Sequence, residues 1–177
     1  MRVIDITHKL DENVAIYEGD PRFSMETWST VQDNGYMLSK LRMGTHTGTH
    51  MDAPCHFIEG GKTAAELPIK QFVGKCLVTD NIKMVEPGCH RVILKGKGRL
   101  NLDEAQWLID HRVHLVGTAA LSIGNDQVHK LLLGNECAVL ELLDLKDVEK
   151  GRYILCAAPL KIDADGSPVR ACLIEPD

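Results

Sequence analysis

The stretch Gly44-Thr45-His46-Thr47-Gly48-Thr49-His50-Met51-Asp52-Ala53-Pro54-Cys55-His56 carries the densest chemistry in the chain. Four groups able to bind a metal or move a proton, His46, His50, Asp52 and His56, fall within eleven residues. In an extended chain all four point to one side, because successive side chains alternate. A helix would turn Asp52 away from the His46/His50 face, and Gly48 and Pro54 oppose a helix. A straight strand would spread His46 and His56 over about 33 Å, at about 3.3 Å per residue. The four groups can meet only if the chain curves, and Gly44, Gly48 and Pro54 are where it can.

Two imidazoles and a carboxylate make a sensible ligand set. Neutral imidazole suits zinc and other transition metals, and a carboxylate can bridge two ions or balance their charge. Three protein ligands leave a position for water, whose pKa a metal lowers to about 7, supplying hydroxide at neutral pH. Unrelated polar loop residues are the better explanation of a lone histidine. Four groups at this density, hinged by glycine and proline, favour a site. A structural zinc site usually has four saturating ligands, often thiolates. Cys55 could supply a fourth, but its odd position points it away from the others.

The rest of the chain sets the frame. Its 177 residues suit a single domain spanning 1–177, with 44% hydrophobic residues to build a core. The net charge of -5 disfavours nucleic acid as a partner. The apolar runs are too short to cross a membrane, and the start Met1-Arg2-Val3-Ile4-Asp5 has no apolar signal core. The six cysteines form no C-x-x-C pair, and reduced thiols in a cytoplasmic protein are the simplest reading. Cys76, Cys137, Cys156 and Cys172 sit in apolar runs, as core cysteines do.

Patterning predicts strands at Arg2–Thr7, Phe23–Val31, Tyr36–Met43, Cys76–Asp80, Arg91–Leu94, His114–Gly117, Ala138–Leu143, Tyr153–Leu160 and Val169–Ile174. Asn34-Gly35 reads as a hairpin turn, and Asp163-Ala164-Asp165-Gly166 as the turn joining the last two strands. Helices are expected at Asn101–Asp110, capped by Asn101, and at Asp126–Leu133, stopped by Gly134-Asn135. The expected fold is α/β, a mixed sheet with few helices. Gly60-Gly61-Lys62-Thr63 lacks the first glycine of a P-loop, Gly96-Lys97-Gly98 lacks the rest of a dinucleotide fingerprint, and no G-x-S-x-G elbow occurs. The basic cluster Arg91, Lys95, Lys97 and Arg99 has no interleaved aromatics and reads as a solvated face.

The segment His46–His56 resembles the H-x-G-T-H-x-D-x-P-x-H signature of the cyclase family of metal-dependent hydrolases, which includes bacterial kynurenine formamidases and isatin hydrolases. Tyr17-Glu18-Gly19-Asp20-Pro21 is similar to the family's aromatic-P-G-D segment. Pro159-Leu160-Lys161 and Asp165-Gly166-Ser167-Pro168-Val169-Arg170 are similar to its C-terminal block. The resemblance implies that His46, His50 and Asp52 bind metal, with Asp52 shared between two ions, and that His56 is the acid/base group. It adds His129 and Glu141, twelve residues apart, as further ligands. Read alone, His129 is equally a polar helix residue. Glu141, inside the apolar run Cys137–Leu143, would be a costly buried carboxylate unless a cation relieved it. The chain departs from the family's G-I-D-x-x-S at Gly117-Thr118-Ala119-Ala120-Leu121-Ser122, and Glu18 replaces a proline.

The resemblance further implies a swivelling β/β/α architecture, a homodimer or homotetramer, and a divalent cofactor, two Zn²⁺ with Mn²⁺ as the alternative. The expected activity is hydrolysis of a C–N bond in a small amide or cyclic amide, as in arylformamidase conversion of N-formylkynurenine to kynurenine and formate. Tyr17 would offer a stacking face to an aromatic substrate. The competing reading is a metal-containing binding module for a small aromatic metabolite, without turnover. A purely structural zinc domain fits least, given the hydrophobic content.

Overall fold

The computed structural model describes residues 1–96 and 98–175. Eleven strands are found among them: β1 Arg2–Asp5, β2 Ser24–Ser29, β3 Leu38–Arg42, β4 His50–Asp52, β5 Val73–Thr79, β6 Arg91–Leu94, β7 Leu115–Thr118, β8 Ala138–Glu141, β9 Gly151–Cys156, β10 Gly166–Pro168 and β11 Cys172–Glu175. Three α-helices accompany them, α1 Val31–Asn34, α2 Leu102–Asp110 and α3 Asp126–Gly134.

Nine strands form one mixed sheet in the order β1-β11-β9-β5-β6-β7-β8-β4-β10. Strands β5 to β8 run parallel, and both flanks are antiparallel. Parallel neighbours need crossover connections. Helix α2 supplies the one between β6 and β7, and α3 the one between β7 and β8. Each helix begins at an asparagine cap. The Asn101 side chain accepts from Glu104 N while Glu104 reaches back, and Asn125 accepts from Val128 N.

Alternation along the central strands builds two cores. Ile93, Leu115, Ala138 and Leu140 join one cluster with Ile4, Met51 and Leu173. Val92, Leu94, Val116 and Val139 face the other way, against Ala105 and Leu108 of α2 and Val128 and Leu132 of α3. Strands β1 and β8 lie far apart in the sheet order yet share the first cluster, so the sheet curls around it. A bridge between Thr7 and Leu143 and the bond from Asp144 N to Ile6 O tie the segments that follow β1 and β8 together.

Several boundaries differ from the sequence reading. The predicted strand to Val31 stops at Ser29, because Thr30 caps a helical turn by accepting from Asp33 N. Gly35, with φ 76°, ends that turn in the left-handed region. Strands β2 and β3 still pair as an antiparallel ribbon. Three-residue strands β4 and β10 are too short to leave an alternation signal. Of the basic cluster, Lys97 lies outside the described residues. Arg91 and Lys95 are half-buried rather than simply solvated and donate to the backbone carbonyls of Gln71 and Val148, whereas Arg99 is exposed as expected and donates to Gly124 O. Cys76 and Cys137 are buried as expected, whereas Cys156 and Cys172 are only partly covered, as cross-strand partners.

Candidate metal centre

Strand β4 explains how H-M-D works. His50 lies opposite Glu141 and Asp52 opposite Val139, while Met51 points to the other face against the core. Two-residue periodicity therefore puts His50, Asp52 and Glu141 on one face. Helix α3 lies over that face and brings His129. His46 arrives on the loop before β4, which turns at Gly48 with φ 66°. A Cβ at Gly48 would push aside the Leu10 Cδ2 methyl, 2.7 Å away, but it is the left-handed backbone that calls for glycine there. His56 ends a 3₁₀ turn, Pro54–His56, whose first residue is the proline. The curvature expected at Gly48 and Pro54 is present.

The five expected ligand residues converge. His46 Nδ1 lies 2.9 Å from Asp52 Oδ1, and His50 Nε2 lies 3.2 Å from the same oxygen. His129 Nε2 is 3.2 Å from Glu141 Oε1 and 3.6 Å from Asp52 Oδ2. His50 Nε2 is 3.6 Å from Glu141 Oε2. Asp52, Glu141, His50 and His129 are buried. Donor atoms of His50, Asp52 and Glu141 fall within 4.8 Å of one another, as do those of His46, Asp52 and His56. Asp52 belongs to both groups.

The second nitrogen of each ring reveals what the centre is built to hold. His50 Nδ1 lies 2.8 Å from Gly48 O, and His129 Nδ1 lies 3.1 Å from Asn125 O. A carbonyl oxygen only accepts, so both Nδ1 atoms carry the hydrogen. His46 Nε2 likewise faces the Asp165 carboxylate at 2.9 Å. Three rings therefore direct their remaining nitrogens toward the same two buried carboxylates. That arrangement requires a cation between them, a proton or a metal, and nitrogen–oxygen ligand sets of this kind suit divalent transition metals.

Electrostatics agree. Burial alone would lower the His46 pKa, but its hydrogen bond to Asp52 and the charges of Asp52 and Asp165 prevail, pushing it up to about 9. His50 is raised against burial chiefly by Asp52, and His129 chiefly by Glu141. Burial would raise Asp52, yet the His46 and His50 hydrogen bonds hold it far below the usual carboxylate range. His56 moves the other way, lowered by burial and then by the charge of His46.

A pH signature follows for metal-stripped protein. The His46 pairing is fully present below its ordinary pKa of 6.5 and is lost as pH rises through about 9. Its contribution to stability should fall across that window, while Zn²⁺ affinity rises because binding displaces protons from the ligands. Melting curves of stripped and Zn²⁺-loaded protein at successive pH values check both trends.

One participant escaped the sequence reading. Asp165, read there as a turn residue, contacts His46 and His56, the latter through Nδ1 at 3.2 Å from Oδ2. Gly166 lies beside it. A Cβ on Gly166 would stand 2.7 Å from His46 Cε1 and 2.8 Å from Met51 O. Gly166→Ala should therefore displace the His46 ring, costing about 1–3 kcal/mol of stability and weakening Zn²⁺ binding. Denaturant unfolding and chelator competition measure the two effects.

The centre lines a cavity of about 600 Å³. Tyr17, Phe57, Arg99, Leu121 and Ser122 contribute to its other walls. Phe57 stacks on His129 with ring centroids 4.8 Å apart, fixing the imidazole plane. The departure at Gly117–Ser122 thus bears on the cavity wall rather than on the ligand set.

Comparison with known proteins gives consistent matches. A family described as putative cyclase matches residues 4–97. The chain is 33% identical to a kynurenine formamidase of Erythrobacter litoralis (strain HTCC2594), covering 98% of this chain and 94% of that protein. A solved structure described as a potential metal-dependent hydrolase with cyclase activity superposes with a TM-score of 0.80 at 29% identity, covering 99% of each chain. Isatin hydrolase A from Labrenzia aggregata, bound to benzyl benzoate, shares the fold with a TM-score of 0.83 at 24% identity, over 97% of this chain and 93% of that one.

Proposed function

Because the chain belongs to the cyclase family, we propose that it is a metal-dependent hydrolase of a C–N bond in a small amide or cyclic amide, with N-formylkynurenine the leading substrate. The observation that carries this reading is the convergence of three imidazole nitrogens on Asp52 and Glu141 beside His56 in one cavity. His46, His50, Asp52, His129 and Glu141 would hold the metal. Asp52 faces imidazoles with both oxygens, Oδ1 toward His46 and His50 and Oδ2 toward His129, which supports a carboxylate shared between two ions, and two Zn²⁺ are the proposed pair, with Mn²⁺ the alternative. A bound divalent ion supplies Lewis acidity and water of lowered pKa.

The chain's own groups then divide the work. His56 has Nδ1 engaged by Asp165, which leaves Nε2 to exchange protons with the cavity. That nitrogen takes a proton from the attacking water as the carbonyl carbon gains its C–O bond. It returns the proton to the departing nitrogen as the C–N bond breaks, giving an amine and a carboxylic acid. Its lowered pKa, beside raised neighbours, favours the neutral form needed for the first transfer. Tyr17 lines the cavity with its ring accessible, which supports stacking against an aromatic substrate.

The β2–β3 ribbon pairs only with itself in the described chain, and such ribbons are marginal in water. Met25, Trp28, Met37 and Leu41 are exposed on or beside it. This supports a homodimer or homotetramer in which another copy covers the arm. No described helix is long and apolar enough to cross a membrane. A cytoplasmic, single-domain enzyme with neither nucleic acid nor membrane as partner is the setting we propose. The formamidase relatives do not favour a binding module without turnover.

Assaying N-formylkynurenine, formanilide and isatin with Zn²⁺-loaded protein tests the proposal. Release of formate from the first two is expected. Turnover of isatin alone would move the substrate to cyclic amides, and no hydrolysis of any amide would leave only the binding reading.

A further inference from the structure

Asp165 lies 119 residues from His46 and 109 from His56 in sequence, yet one of its oxygens meets both rings. Oδ2 is 2.9 Å from His46 Nε2 and 3.2 Å from His56 Nδ1, while Oδ1 accepts from Thr45 Oγ1 at 2.9 Å. The two ring centroids are only 4.0 Å apart. The backbone holds the carboxylate in place from both sides. Asp165 O accepts from Ala53 N at 2.9 Å, and the next residue, Gly166, pairs with Asp52 across β10 and β4. The absence of a Cβ at Gly166 lets the His46 ring lie against this segment.

We propose that Asp165 is a positioning residue that orients the metal-facing ring of His46 and the proton-transferring ring of His56 together. The inference rests on the reading of the site given above. An ionised carboxylate only accepts hydrogen bonds, so each nitrogen facing it carries the hydrogen. His46 is thereby left with Nδ1 toward Asp52, and His56 with Nε2 toward the cavity. His50 and His129 receive the same service from the carbonyls of Gly48 and Asn125. Asp165 serves two rings of different function at once, which a backbone carbonyl on either loop does not. Partners of this kind typically change metal affinity or activity by about 10–100-fold when removed.

The test compares Asp165→Ala and Asp165→Asn, with Zn²⁺ as the probe. The side chain is 43% exposed, so its removal leaves no buried cavity. Zn²⁺ affinity is read by chelator competition, and the His56 tautomer by long-range ¹H–¹⁵N NMR of the Zn²⁺-loaded protein. Asp165→Ala should weaken Zn²⁺ about 10–100-fold and release His56 from its Nδ1–H form. Asparagine can turn its oxygen to both rings and its amide to Thr45, so Asp165→Asn should keep the tautomer and recover part of the affinity. Wild-type affinity and wild-type tautomer in Asp165→Ala would overturn the proposal. Should the alanine variant not fold, Asp165→Asn decides alone: affinity reduced at least several-fold supports it, and unchanged affinity overturns it. Both readouts are independent of turnover, so failure of the amide assay alone leaves them meaningful.

Discussion

Replacing His56 with alanine is expected to lower turnover of N-formylkynurenine by about 10²–10⁴-fold, the usual contribution of a general acid–base group, with bound Zn²⁺ unchanged. Both halves of the result matter. His56 stands close enough to His46 and Asp52 to be a third donor in that group. It differs from the other site histidines in being shifted toward neutrality, by burial and by the charge of His46, and its Nδ1 is committed to Asp165. A proton-transfer group lost from an intact centre lowers kcat without lowering metal content. A ligand lost from the centre lowers both. Parallel assays of turnover and of metal per chain separate these outcomes.

Asp52→Asn should weaken Zn²⁺ binding by more than about 100-fold, since removal of outer hydrogen-bond partners alone costs 10–100-fold, and turnover should fall below detection. The carboxylate is buried and is the common neighbour of His46, His50 and His129. Asparagine keeps the volume and the strand pairing but removes the negative charge against which these rings are arranged. Chelator competition reads the affinity, and near-ultraviolet circular dichroism checks that the tertiary packing of the aromatic side chains remains. Stoichiometric Zn²⁺ retained against a strong chelator would contradict a role for Asp52 in holding the metal.

How much of this was legible depended on distance along the chain. His46, His50, Asp52 and His56 declared themselves because they are crowded into one segment with glycine and proline between them. The chain does curve where Gly48 and Pro54 allow it. Glu141 was legible as an anomaly, a carboxylate inside an apolar strand, and it is indeed buried beside β4. His129 had no signal of its own; family resemblance supplied it, because a histidine on an amphipathic helix looks the same whether or not it meets a carboxylate. Asp165 looked like a turn residue because its partners lie in a distant segment brought alongside only by β4–β10 pairing.

The fold divides in the same way. Asparagine caps announced α2 and α3, and the apolar runs announced the central strands. Strands β4 and β10, each three residues long, are defined by pairing rather than pattern. The arm was read as a simple hairpin because Asn34-Gly35 is a turn dipeptide. Thr30 instead caps a helical turn there, and Gly35 ends it.

The central claim is that the converging histidines and carboxylates serve amide hydrolysis through a bound divalent metal. Its most direct test strips the purified protein with chelator, then measures formate release from N-formylkynurenine before and after Zn²⁺ or Mn²⁺ is restored, with the fold followed by circular dichroism. The expected result is a folded, inactive stripped protein that regains turnover when the ion returns. Undiminished hydrolysis by stripped protein, or none after stoichiometric metal has rebound, would contradict it.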